Sequence, residues 1–388
     1  MKLFSLIMVA ILLFSPGGLL AGSLPSGYKV VKGKVTVTVD GKVMDVDQAT
    51  QKAIVNWQKF GIDEGYTVNI NQINSAAAML ARVVGNDPSN ILGNLNATGH
   101  FYLVNQNGVY FGPNSRVDVG AIIASTMDIL DDDFMAGNLN FFGEAKGNVV
   151  NAGKINADAV ALIGKNVQNT GTINASQVGL VAAQKAVTLS DFGGGSKLVV
   201  DFSDFNKAED VAAPTTVVNE GTINAGDNGD VVLFAEAGEA SNENGAIIAD
   251  TAEISGAKVD LTKLGSVKAN DLLIDPDGIL TLVAGDAAAI DDGSDATYSE
   301  AALSDLLNDP ELKASNITLA YNYIILDERI PDEFRISSTK GLTLKTNDEH
   351  GAFNTNGKTI ITDGDLTIDA GIILGSLSIE ATNKGSNV

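Results

Sequence analysis

Residues 151–157 read NAGKINA, and the unit returns at 169–175 as NTGTINA and at 219–225 as NEGTINA, with a looser copy, NENGAIIA, at 242–249. The isoleucines that mark the copies are Ile155, Ile173, Ile223 and Ile247, so the intervals are 18, 50 and 24 residues. About 18 to 24 residues is what one turn of a β-solenoid consumes, and the long interval holds either two turns or one turn and an insertion. Each copy is followed by a second strand-like run, at 159–164, 177–182, 230–235 and, weakly, 252–255. One such rung cannot bury its apolar face alone, whereas stacked rungs bury a continuous column and satisfy each other's amides along the axis. The expected fold is therefore all-β, a stacked coil with Ile and Val pointing inward and with corners at Asn and Gly, where left-handed turns are expected. A β-sandwich predicts even hairpin spacing without a copied unit.

The same period-two alternation appears elsewhere, in Val35, Val37 and Val39, in Leu342 and Leu344, and in Leu366 and Ile368. Two places break it. Thr297-Tyr-Ser-Glu300 has the form of a capping box ahead of Leu303, Leu306 and Leu307, which predicts one short helix near 299–308, reached through an exposed loop at 286–296. Phe192-Gly-Gly-Gly-Ser196 reads as a flexible excursion from one rung.

Lys2, the 12-residue apolar run from Leu3 to Phe14 broken only by Ser5, and the small residues at 21–23 have the layout of a secretory signal peptide over 1–21. The run is shorter than the roughly 20 residues a helix needs to span a bilayer. Cleavage is expected after Ala21 to within about two residues, Leu19 being a poor match at the third position back. The remaining chain is then expected to be secreted, with no stable membrane insertion. Without Lys2, the 25 Lys and Arg become 24 against 48 Asp and Glu, a formal charge of −24, which disfavours nucleic acid and anionic lipid as partners. Cysteine is absent, so neither a disulfide nor a thiolate site can form.

Motifs for chemistry are weak. His100 and His350 each stand alone, nothing matches G-x-S-x-G, and 193–197 lacks the ending of a phosphate loop. Asp131, Asp132 and Asp133, or Asp275 and Asp277, are the carboxylate candidates for polysaccharide chemistry. The first run has no Lys or Arg nearer in sequence than Arg116 or Lys146, and Trp57 is the only tryptophan, so a solvated corner loop is the expectation there. Asp275-Pro-Asp-Gly278 and 291–295 are too short and irregular for a known calcium loop. No catalytic residue, metal or cofactor is expected.

The ordered series Asn56-Trp-Gln-Lys-Phe-Gly-Ile62, Tyr66-Thr-Val-Asn-Ile70, RVVGNDPSNILG at 82–93 and FYLVNQNGVYFGPNSRVDVGAIIAST at 101–126 resembles the N-terminal secretion domain of filamentous-haemagglutinin-type exoproteins, the passengers of two-partner secretion. The resemblance implies a right-handed parallel β-helix with an N-terminal cap and short hairpins outside the coil. It also implies export across the inner membrane and recognition by the periplasmic docking domains of an outer-membrane transporter. It assigns 22–265 to the secretion domain and 266–388 to further rungs with an insertion at 286–312. Asn105, Gln106, Asn107 and Gly108 match its turn motif, with Gln106 where the family has proline, and Arg82, Gly112 and Pro113 are lesser candidates. These residues either touch the transporter or shape the fold, and in both cases substitution is expected to lower secretion. An adhesin-like or surface-structural role follows, with a cell-surface carbohydrate or protein as a further partner. A polysaccharide-acting enzyme and a haemolysin or toxin carrier are the alternatives.

Overall fold

Ile155 lies beside Ile173, Ile173 beside Ile223, and Ile223 beside Ile247 in parallel register, and all four are at most 1% exposed. The column continues through Val117 and Leu95 on one side and Val267 on the other. The computed structural model that shows this describes residues 23–193, 198–201, 214–291, 293–347 and 350–382. The expected signal peptide, residues 194–197 of the glycine-rich stretch, and Asp292 lie outside the described residues.

The chain is a parallel β-helix. A typical turn runs Lys154–Asn156, Ala159–Gly164 and Asn166–Asn169, and pairs strand for strand with Thr172–Asn174, Gln177–Ala182 and Thr216–Asn219. The 50-residue interval is thus one turn plus an excursion. Later turns continue the coil, the last described one being Leu366–Asp369, Ile372–Leu374 and Ser378–Ala381. At the other end, Lys29–Lys32 and Val35–Asp40 pair antiparallel with Lys52–Trp57 and Val43–Gln48. These strands close off the first turn as a cap, over a cluster in which Trp57 meets Phe60 edge-on at 5.4 Å.

The corners depart from expectation. Asn151, Asn169, Asn219 and Asn242 are not left-handed, and they are completely buried. Asn151 donates to Asn169 at 2.8 Å, Asn169 to Asn219 at 2.7 Å, Asn219 to Asn242 at 2.6 Å, and Asn242 to the Leu264 carbonyl at 2.7 Å. Each amide satisfies its neighbour where water cannot reach. The repeat glycines are not left-handed either. A Cβ on Gly171 would sit 2.1 Å from the Gly153 carbonyl oxygen, and one on Gly221 would sit 2.1 Å from that of Gly171, so close stacking is what requires glycine.

A second core lies outside the coil. Ala159–Gly164 and Gln177–Ala182 are buried at every position, as strands covered on both faces are. Their outward side chains, with Ile54, Leu80 and Tyr102, pack beneath an antiparallel sheet made by two excursions, Asp128–Ile129 with Leu139–Phe142 and Ala186–Ser190 with Val199–Asp201.

Two α-helices are present among the described residues. Asp131, Asp132 and Asp133, expected in a solvated corner loop, instead open helix α1, Asp131–Ala136, whose Phe134 is 1% exposed and seals the outer core. Three carboxylates in a first turn face the positive end of the helix. Helix α2, Glu300–Leu307, forms where expected and buries Leu303 and Leu307, but its cap is Ser299 rather than Thr297. The Ala302 amide donates to Ser299 Oγ at 3.1 Å. Thr297 is held in Ala296–Ser299, paired with Leu280–Val283 of the coil. Glu300 accepts instead from the amides of Gly285 and Arg335.

Candidate functional site

Strand Asn94–Val104 ends at a turn that Asn105 organises from inside the protein. The Gly108 amide donates to the Asn105 carbonyl at 3.0 Å, closing the turn, and the Asn107 amide donates to Asn105 Oδ1 at 3.0 Å. Asn105 Nδ2 donates to the Asp87 carbonyl and to Ser89 Oγ, both at 3.0 Å, on the preceding rung. Asn105 is completely buried, and its bond to Ser89 is buried with it while the others are partly buried, so the side chain positions the tip firmly. Gly108 has φ +117°, which the turn needs and a side chain would resist. Its amide lies 2.5 Å from where a Cβ on Gly147 would be, so the next rung leaves no room there. Gln106 and Asn107 form the exposed tip, and Asn107 Nδ2 donates back to the Gly85 carbonyl at 3.0 Å. The proline-free motif therefore still closes.

Arg82 joins this site through register: it lies beside Val104, the residue before the turn. Its guanidinium donates to Asp128 at 2.8 Å, to Asp131 at 2.7 Å and to the Ile129 carbonyl at 2.6 Å. Burial acts to strip its proton, but the hydrogen bonds and charges of Asp128 and Asp131 outweigh that and hold its pKa above the ordinary value. Lys52 Nζ reaches the same excursion and donates to the carbonyls of Phe134 at 2.9 Å and Met135 at 3.0 Å, at the end of α1. Sequence reading did not find Asp128 or Lys52 as partners, because 46 to 83 residues separate the pairs and no local pattern links them. Gly112 and Pro113 lie apart, at the next corner, where the Ser115 amide donates to the Gly112 carbonyl and Pro113 is exposed.

The carboxylate candidates separate. Asp131 is bound into the Arg82 clamp. Asp275 is half-buried, and burial, reinforced by Glu253 and Asp277, pushes its pKa up to about 6 against the opposing influence of Asn347 and Lys345. Asp291 accepts from the amides of Leu261 and Gly293 and from Tyr298. His100 sits half-buried, its pKa lowered by burial against the pull of Asp158, and His350 is exposed.

The TPS secretion domain family matches residues 21–282. The chain belongs to that family. As a TPS secretion domain chain it is a passenger of two-partner secretion, exported through the periplasm by an outer-membrane transporter. It is similar to a heme/hemopexin-binding protein of Haemophilus influenzae, 27% identical over 275 residues, which cover 64% of this chain and 29% of that protein. The chain thus matches less than a third of the length of that relative. The HMW1 secretion domain from H. influenzae shares its fold, with TM-score 0.54 and 24% identity over 91% of this chain and all of that one. The filamentous hemagglutinin secretion domain aligns over 92% of this chain and 99% of its own with TM-score 0.40 and 13% identity.

Proposed function

We propose that the transporter reads the Asn105–Gly108 turn, with Arg82 beside it, and that the passenger then acts outside the cell as an adhesin-like or surface-structural coil toward a carbohydrate or protein. Residues 1–21 serve as the signal peptide, 22–265 as the export unit, and 266–388 as the section that extends the coil. The observation that carries the reading is the division of labour within the turn. Asn105 and Gly108 are buried and fix its shape, while Gln106 and Asn107 are presented at the surface. Gly112 and Pro113 are secondary candidates because they lie one corner away.

Parallel assays of secretion and stability test it. Asn105→Ala is expected to weaken folding by about 2 to 4 kcal/mol, since it strands buried partners, and to lower secretion with it. Gln106→Ala is expected to lower secretion while shifting stability by less than about 0.5 kcal/mol, as an exposed substitution does. Wild-type secretion of Gln106→Ala together with Asn107→Ala would leave the motif only a fold-shaping role.

One observation favours a second reading, a polysaccharide-acting enzyme. A carboxyl pushed up to about 6 beside Asp277 has the character of a general acid. A screen of acidic glycans against wild type, Asp275→Asn and the controls Asp131→Asn and Asp132→Asn tests it, and turnover abolished only by Asp275→Asn would support it.

A further inference from the structure

The match to the export family ends at residue 282, and helix α2 lies beyond it, packed against a sheet of the last described turns. That sheet stacks Glu333–Ile336, Thr359–Thr362 and Ser378–Ala381 in parallel. Its side chains alternate between core and outer face, and Phe334 and Ile360 belong to the core of the coil. Arg335, Ile361 and Glu380 therefore share one outward row. Ile361 is unusual there, because it is only 6% exposed yet belongs to neither apolar core. It lies on the floor of a groove of 470 Å³, which α2 walls with Ala301 and Ser304.

Hydrogen bonds hold the walls of this groove apart. Glu300, at the start of α2, accepts from the amides of Gly285 at 3.0 Å and Arg335 at 2.6 Å. At the other end of the helix, Asn308 donates to the Ser337 carbonyl at 3.0 Å. Between them the Ser337 amide donates to Ser304 Oγ at 3.3 Å, and the Ser337 hydroxyl donates to Asp363 at 2.8 Å. The groove is thus preformed, and a ligand would pay little to order it. What remains available is an apolar floor ringed by polar groups. Arg335 gives Nη2 to Glu333, while its Nε and Nη1 donate to nothing among the described residues. The Ser304 hydroxyl accepts but donates to nothing among them. Asp363 has acceptor capacity beyond the bonds it already accepts.

We propose that this groove binds one pyranose unit of a neutral cell-surface glycan. The C–H face of the ring lies on Ile361 and Ala301, and its hydroxyls accept from Arg335 and Ser304 and donate to Asp363. Size and lining fit a small-molecule site, in which a few convergent polar groups surround an apolar surface. Charge selects the class. The carboxylates of Glu300, Glu333 and Asp363 surround the one guanidinium, so an acidic sugar is repelled, and the polar rim leaves a purely apolar ligand too little cover. The inference rests on the adhesin-like reading above and adds where contact is made and with what.

The released full-length passenger, coupled to fluorescent beads so that weak single contacts add up, is applied to immobilised glycans. The panel carries neutral glycans ending in galactose, glucose, mannose or N-acetylhexosamine, with sialylated counterparts, and intact cells are tested beside it. Wild type is expected on a subset of the neutral spots. Ser304→Trp, which fills the groove, should lower that signal at least tenfold. Arg335→Ala should lower it about tenfold, the order of one lost charge-assisted contact, with Arg335→Lys restoring part of it. Asp305→Trp, on the same helix but outside the groove, should bind as wild type does. Release and urea midpoints should match wild type for Arg335→Ala, whose side chain is exposed and pairs only with Glu333, so that variant decides the matter even if Ser304→Trp fails to fold. Neutral-glycan binding that ignores both variants overturns the groove and leaves the adhesin-like reading standing. So does binding confined to sialylated spots, or binding to cells but to no glycan. Binding to neither glycans nor cells overturns the adhesin-like reading itself.

Discussion

Asn169→Ala is the substitution that most directly tests how the coil is held. Asn169 accepts from Asn151 at 2.8 Å and donates to Asn219 at 2.7 Å, with no solvent exposure. Alanine leaves the Asn151 Nδ2 without its acceptor and the Asn219 Oδ1 without its donor, both in the dry interior. Each stranded group costs about 1 to 3 kcal/mol, so the local penalty is about 2 to 6 kcal/mol. A matched control exists on the next turn. Asn174 donates to Asn156 at 2.8 Å, but that pair is only partly buried, so water can replace the lost partner and the cost should stay under about 1 kcal/mol.

Hydrogen exchange read by mass spectrometry on peptides spanning 166–174 and 216–224 is the suitable assay, because nearest-neighbour stacking makes damage local before it is global. The amides of Thr170, Gly171 and Glu220, which donate to the carbonyls of Asn151 and Asn169, should lose protection first. A penalty of about 3 kcal/mol corresponds to exchange faster by about a hundredfold. If Asn169→Ala and Asn174→Ala cost the same to within about 0.5 kcal/mol, the reasoning that burial converts this amide chain into a strong element is refuted.

Gly171→Ala should cost about 3 kcal/mol or more, since its Cβ would lie 2.1 Å from a neighbouring carbonyl oxygen that the stack holds in place. Gly226→Ala, at φ +75° with nothing within 4 Å, should cost about 1 kcal/mol from backbone strain alone, and thermal melts compare the two. Ser299→Ala removes the α2 cap and should cost about 1 kcal/mol, seen as faster exchange in 300–308. Asp275→Asn should stabilise the protein near neutral pH. The folded pKa of about 6 lies above the ordinary 3.8, so the wild type loses stability as pH rises between those values and does not regain it above them. The variant should therefore gain up to about 3 kcal/mol at pH 7 and nothing below pH 4. An amide there also offers a donor beside Asn347, whose buried Oδ1 has no partner among the described residues. Urea midpoints at pH 4 and pH 7 decide it.

What the sequence made legible was whatever repeats at short range. The isoleucine column could be read because each copy carries the same residue at the same offset, and only stacking buries such a series. The strands at 159–164 and 177–182 could be read as well, but not that both their faces are covered. The asparagines of the same copies were placed at corners, but their burial was not legible, because a polar residue before glycine is equally at home in a solvated corner. Only the neighbouring turn makes it a buried link. Helix α1 was hidden by its own charge, since three aspartates outweigh Phe134 in any local reading. Arg82 was found only through resemblance, and its three partners only through the fold.

The two cores differ in what specifies them. Inside the coil, apolar columns alone would tolerate a turn sliding along its neighbour, because Ile, Val and Leu are nearly interchangeable in an apolar column. The Asn151 to Asn242 series removes that freedom, since any slip leaves buried amides facing aliphatic side chains. Register is thereby set one turn at a time by the turn before it, which suits a chain that must fold after crossing a membrane. Outside the coil, among the described residues, no series of buried asparagines aligns the excursions. There Arg82 and Lys52 do the aligning, each holding the segment around α1 by charge and carbonyl contacts at 2.6 to 3.0 Å. The coil's register is thus set by its own turns, and the position of the outer sheet by two cations that those turns carry.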